Sequence, residues 1–126
     1  MRSNWPPISS QTWAAIRTEF TLPSLEQVQR RLSELMEDPE PVMQQVVRVF
    51  IGEGTYCPGF QFLAGGLVHP TVLDLFQRAM ALKIPHNHFT AWMVSPSAVL
   101  SGARPVDLLE GGSAALFKAL EALGRK

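Results

Sequence analysis

Cysteine is nearly absent from this chain of 126 residues. Cys57 stands alone, which excludes an intramolecular disulfide and points to a reducing compartment. An excess of charge of either sign is also missing, because Lys plus Arg and Asp plus Glu both number 11. Nothing therefore advertises a polybasic surface for nucleic acid or for anionic lipid. Apolar runs stay far short of a membrane span. The opening stretch MRSNWPPISSQTW has no apolar h-region and carries two prolines, so it does not read as a secretory signal. These absences lead to the expectation of a soluble cytoplasmic protein. A chain with no net charge is also prone to association, so a homodimer is a further expectation.

Recognisable chemistry is scarce too. The glycines of GEGTYCPG match neither a dinucleotide fingerprint nor a P-loop, and turn geometry explains them better. There is no Gly-x-Ser-x-Gly. His86-Asn87-His88 has two metal-ligating side chains, but no cysteine or nearby acid completes a site at usual spacing. It reads as a solvated loop between helices. Cys57 beside Pro58 would need a histidine close in space to act as a nucleophile. Glu26, Arg30, Arg31 and Glu34 read as a solvated helix face. The sequence thus predicts no catalytic residues, no metal and no cofactor.

What is present is apolar material in short, well-punctuated pieces. Hydrophobic residues make up 46% of the chain and charged ones 17%, enough for a core without disulfide or metal staples. Residues 1–8 read as an arm whose Trp5 packs on the body. Ser9 or Ser10 caps a helix to about Phe20, with Trp13, Ile16 and Phe20 on one face. Ser24 and Gln27 form a capping box for a helix to about Glu37. A short helix over 41–47 follows. Val46 to Ile51, a Gly52-Glu53-Gly54 turn, and then Tyr56, Phe60 and Phe62 predict a hairpin, with Pro58 at an edge or bulge. A helix runs from His69-Pro70 to Lys83. Asn87 caps a helix carrying Phe89, Trp92 and Met93. Ser95-Pro96 starts a turn of helix ending near Leu100. Pro105 starts another through Leu109, closed by Gly111-Gly112. Ser113 caps the last helix, with Leu116, Phe117, Leu120 and Leu123 on its apolar face. The predicted fold is mainly α with a small β-hairpin, a compact bundle of short helices. It divides into an N-terminal region, 1–62, readable as a degenerate winged helix, and a C-terminal helical domain, 63–126.

Residues 91–109 read AWMVSPSAVLSGARPVDLL. Prolines at helix starts and glycine between them set tight corners. Arg104 either clamps Asp107 or a nearby helix C-terminus, or faces a partner. This stretch resembles the toxin-binding domain of the Xre/MbcA/ParS antitoxins. The elements that carry the resemblance are Trp92, Ser95-Pro96, Leu100, Gly102, Arg104-Pro105 and Asp107-Leu108-Leu109, followed by the helix from Ser113. The segment PGFQF, Pro58 to Phe62, is similar to a stretch that precedes this domain in a subset of relatives. The resemblance covers about half of the chain, its C-terminal side. It implies a non-enzymatic antitoxin whose partner is a RES-domain toxin that consumes NAD, neutralised by contacts from the C-terminal region. Arg104, Leu123, Arg125 and Lys126 are the expected toxin-binding residues. Trp92, Pro96, Leu100, Gly102, Pro105, Asp107 and Leu108 are expected to be largely structural. Many members also carry an N-terminal helix-turn-helix for autoregulation. Here the would-be reading stretch EPVMQQVVR has only Arg48 as a cation, which argues against DNA binding. A transcriptional regulator using residues 24–62 is the first rival reading, and an enzyme centred on Cys57 or on His86 and His88 is the second.

Overall fold

The computed structural model describes residues 5–125. It is mainly α with one small antiparallel hairpin. Helix α1 spans Ser10–Phe20, and the Ser9 hydroxyl accepts the Thr12 N–H at its start. It buries Trp13 and Ile16. Helix α2, Leu25–Leu35, opens on a complete capping box. The Ser24 hydroxyl accepts from Gln27 N–H at 3.2 Å, and the Gln27 side chain accepts from Ser24 N–H at 2.8 Å. Both arms satisfy N–H groups that a helix start leaves unpaired. Helix α3 is only Glu40–Met43, shorter than the expected 41–47, and residues beyond it form a turn.

Strands β1 (Val49–Ile51) and β2 (Gly54–Tyr56) pair antiparallel, Val49 opposite Tyr56. Gly52 turns between them at φ +58°. The second strand ends earlier than the aromatic spacing predicts. Phe60 lies in a 3₁₀ turn, Gly59–Gln61, and not in a strand. The cause is a close backbone crossing. Residues 21–24 run beside 56–59, with Cys57 N–H donating to Pro23 C=O at 2.8 Å and Gly59 N–H to Thr21 C=O at 3.0 Å. A Cβ on residue 59 would lie 1.7 Å from the Phe20 carbonyl oxygen, so only glycine fits there. A bridge between Ser24 and Tyr56 extends the same pairing. The resulting order is helix, edge segment, helix, helix, hairpin, which is the connectivity of a winged helix.

The C-terminal half contributes α4 (Pro70–Ala81), α5 (His86–Met93) and α6 (Ala114–Gly124), with 3₁₀ turns at Ala98–Leu100 and Pro105–Leu108. Three local expectations change. Residues 86–88 lie on α5 and are not a loop, and Asn87 does not cap that helix. Ser95 closes α5 by donating its hydroxyl to Ala91 C=O, and the next turn begins at Ala98 and not at Pro96. Ser113 stands at the N-cap of α6, but its side chain makes no capping bond. The main core joins α4, α5 and α6 through Leu75, Phe76, Phe89, Met93, Leu116 and Leu120, and it includes Val47 and Phe60 from the N-terminal half. Smaller clusters lie under α2, around Val28 and Leu32, and under α1, around Trp13 and Ile16.

Side chains satisfy the backbone of segment 47–50. Gln61 is wholly buried. Its Oε1 accepts Val47 N–H at 2.8 Å, and its Nε2 donates to Val47 C=O at 3.0 Å and Pro58 C=O at 3.1 Å. Asn87 does the same for Phe50, accepting its N–H at 2.9 Å and donating to its C=O at 3.0 Å. Between them, His86 Nδ1 lies 3.3 Å from Arg48 N and 3.2 Å from Arg48 O. A strand edge is thereby satisfied without a neighbouring strand. Replacing Gln61 with Leu leaves the buried N–H and C=O of Val47 unpaired, each worth about 1–3 kcal/mol, while Pro58 C=O keeps the backbone N–H of residue 61. We expect Gln61→Leu to lower unfolding stability by about 2 kcal/mol or more, whereas exposed Gln45→Leu stays within about 0.5 kcal/mol. Denaturant midpoints of the two variants check this.

Candidate partner-binding site

The motif stretch folds as a single corner. Trp92 and Met93 end α5 facing the core, and Trp92 stacks obliquely on Phe89 with ring centroids 5.9 Å apart. Ser97 then starts a closed loop, donating its N–H to Ala103 C=O at 3.0 Å while its own C=O accepts from Gly102 at 2.8 Å. Ser101 and Gly102 reverse the chain at φ +59° and +89°. Two successive left-handed residues need glycine at one of them at least. Leu100, Pro105 and Leu109 point inward, Leu108 is half-buried, and Pro96, Gly102 and Asp107 are exposed. Leu109 therefore takes the fully buried place in the Asp-Leu-Leu triplet.

Arg104 is fully engaged. Its Nη1 and Nη2 grip both oxygens of Glu19, at 2.9 and 2.8 Å. Its Nε and Nη2 reach both oxygens of Asp107, at 2.8 and 3.0 Å. The guanidinium carbon also stands 5.9 Å from the centre of the Phe20 ring. Of the alternatives open from the sequence, the structure shows the clamp on Asp107, and it adds a carboxylate in the last turn of α1. Such paired forks are strong and directional. Hydrogen bonds from Arg104 hold both the Glu19 and the Asp107 carboxyls below their ordinary range. The carboxylate hydrogen bonds, Glu19 first, raise Arg104 itself.

The other expected contact residues lie at the end of α6. Leu116, Ala119 and Leu120 are buried, and Phe117 and Leu123 pack half-buried on the main core. Gly124 abuts Leu82, since a Cβ there would lie 3.2 Å from Leu82 Cδ1. Glu121 pairs with Arg78 on α4. The last turn of α6 thus has more to pack against than its place in the sequence suggests. Arg125 is exposed, and Lys126 lies outside the described residues.

The histidines hold structure. His69 Nδ1 accepts Thr71 N–H at 3.1 Å and so caps α4, while its Nε2 meets Glu110 at 2.8 Å. His86 is pushed toward the neutral form, chiefly by burial. His88 Nε2 bonds the Pro6 carbonyl, beside Trp5, which does pack on the body. Cys57 is buried, and burial drives its thiol up to about 11, the setting of an unreactive core thiol. Among the described residues no group of three or more His, Cys, Asp or Glu could hold a metal ion. No described helix is long and apolar enough to cross a membrane.

No family model matches the chain, and no curated protein matches it either. An NMR structure of Rv2175c shares its fold, with a TM-score of 0.64 over 84% of this chain and 82% of the other, at 19% identity. At that identity the likeness speaks for the fold alone.

The clamp makes a pH-dependent prediction. Carboxyls held low in the folded state add stability above their unfolded pKa and lose it as pH falls through the folded values. Arg104→Ala should lower the thermal midpoint at pH 7. The gap to the parent chain should begin to narrow near pH 4, the ordinary carboxyl range, and close as pH falls through the lower values of the folded state. Thermal melts of both proteins across pH 3 to 7 measure it.

Proposed function

We propose that the chain is a non-catalytic, antitoxin-like protein that binds and neutralises a RES-domain toxin consuming NAD in a reducing cytoplasm. The observation that carries the reading is the corner formed by residues 92–109. The residues that make up the antitoxin-like motif do not scatter over the fold. Trp92, Leu100 and Leu109 share the main core with α6, and Pro105 is buried at the start of the turn between them. The resemblance assigns the inhibitory contact to the end of α6, where Arg125 is exposed. Arg104 supports that contact indirectly, by fixing the corner to α1.

Winged-helix connectivity favours a second reading, a regulator binding its own promoter. Charge opposes it. Residues 24–56 hold six carboxylates and three arginines, a net charge of −3. Arg48 is turned inward, donating to the Met43 carbonyl at 2.7 Å. DNA affinity comes largely from cations set against phosphates.

Co-expression with the RES-domain protein of its own genome tests the first reading. Full-length protein should restore growth, and a chain shortened to Gly124 should fold with an unchanged helical spectrum yet restore it poorly. Persistent toxicity beside the full-length chain would overturn the antitoxin reading. Rescue by the shortened chain would remove the tail from it. A gel shift with upstream DNA at physiological salt should show only weak, non-selective binding, and selective nanomolar binding would put the regulator first.

A further inference from the structure

A second surface stands apart from α6. A cleft of roughly 500 Å³ opens between the end of α1, the 3₁₀ turn at Gly59–Gln61, and the turn at Pro105–Leu108. That volume lies within the roughly 300–1,000 Å³ of ligand-holding pockets. Its apolar lining is Phe20, Phe60, Phe62, Val106 and Leu109. Phe20 and Phe60 meet edge to face at 5.8 Å, which gives that wall a fixed shape.

The rim has two parts. One is apolar. Phe62 bridges to Val68, and Leu63 N–H donates to Leu67 C=O at 2.7 Å around a short turn. Phe62 and Val68 pack inward on the cluster under α2. Leu63 and Leu67, joined by that hydrogen bond, are both exposed. They are 41% and 51% exposed, which is unusual for neighbouring leucines with no partner over them. The other part is acidic. Glu19, Asp107 and Glu110 line the cleft. Arg104 offsets one of these charges. His69 Nε2 meets Glu110, and its Nδ1 accepts the Thr71 N–H. Glu110 is the most exposed carboxylate of the rim.

From this juxtaposition we infer that the cleft and the Leu63–Leu67 ledge form a docking site for a partner-protein segment in which large apolar side chains stand next to Lys or Arg. Apolar side chains fill the cleft and cover the ledge, and a cation meets Glu110 at the rim. Complementary charge of this kind sets partner choice and approach, while the apolar anchors supply most of the affinity. The site uses no residue of α6, so it stands or falls separately from toxin neutralisation through the tail.

The test uses the full chain and a labelled peptide built of leucine and lysine, read by fluorescence anisotropy, with a leucine–glutamate peptide as control. The lysine peptide should bind and the glutamate peptide should not. Raising salt should weaken binding. Leu63→Asp should weaken it by at least about tenfold and Glu110→Lys by several-fold, with thermal midpoints near that of the parent. Leu63 and Glu110 are both exposed, so neither change threatens the core. Equal binding of both peptides, no binding of either, or an unchanged affinity in Leu63→Asp would overturn the proposal. A dimer in sedimentation that Leu63→Asp dissolves would also overturn it, by giving the face to a second copy of the chain.

Discussion

The structure depends on a carboxamide that stands in for a missing strand. Gln61 presents both of its hydrogen-bonding atoms to the backbone of Val47, in the interior. Val47 itself belongs to the core of the second half. An unsatisfied N–H or C=O there would carry its full desolvation cost. The amide removes that cost and also fixes register, since only one placement of residue 61 serves Val47 and Pro58 together. Asn87 and His86 repeat the device on Phe50 and Arg48. Three side chains distant in sequence thus hold segment 47–50, and the hairpin that follows inherits its position from them.

Local features of the fold were legible where one residue type has one physical use. The capping box at Ser24 and Gln27, the breaks at Pro23 and Pro85, and the helix after Pro70 all follow from backbone chemistry within a few residues. The features that were not legible depend on contacts remote in sequence. Phe60 alternates correctly for a strand, yet Gly59 must pass against the Phe20 carbonyl, and that contact bends the chain into a turn. His86 and Asn87 look like exposed loop residues until β1 is set beside them. Gln61 carries no signal of its own, because a glutamine in an apolar stretch is ordinarily solvent-facing.

The candidate site divides in the same way. Trp92, Leu100 and Pro105 were legible as frame because large apolar groups next to corner residues have little else to do. Arg104 was legible only as one of two alternatives, and its decisive partner, Glu19, lies 85 positions away. The acidic-rimmed cleft had no sequence signature at all. Its lining comes from four separate segments, and its ledge depends on the Leu63–Leu67 turn, which reads simply as a Gly-rich loop.

Arg104 also constrains how such a protein can recognise anything. Arginine beside glycine and proline on an exposed corner would ordinarily be the first candidate for gripping a partner's carboxylates. Here four hydrogen bonds already occupy the fork, and a partner would have to break a pair of carboxylate contacts to reach it. Recognition therefore falls to groups the fold leaves unused. At the end of α6 that is Arg125, on a helix whose apolar stripe is already committed to the core. At the cleft it is Glu110, 87% exposed and hydrogen-bonded to His69, near the exposed Leu63 and Leu67. The exposed Arg125 and the exposed Glu110 thus give the two proposed faces opposite charge.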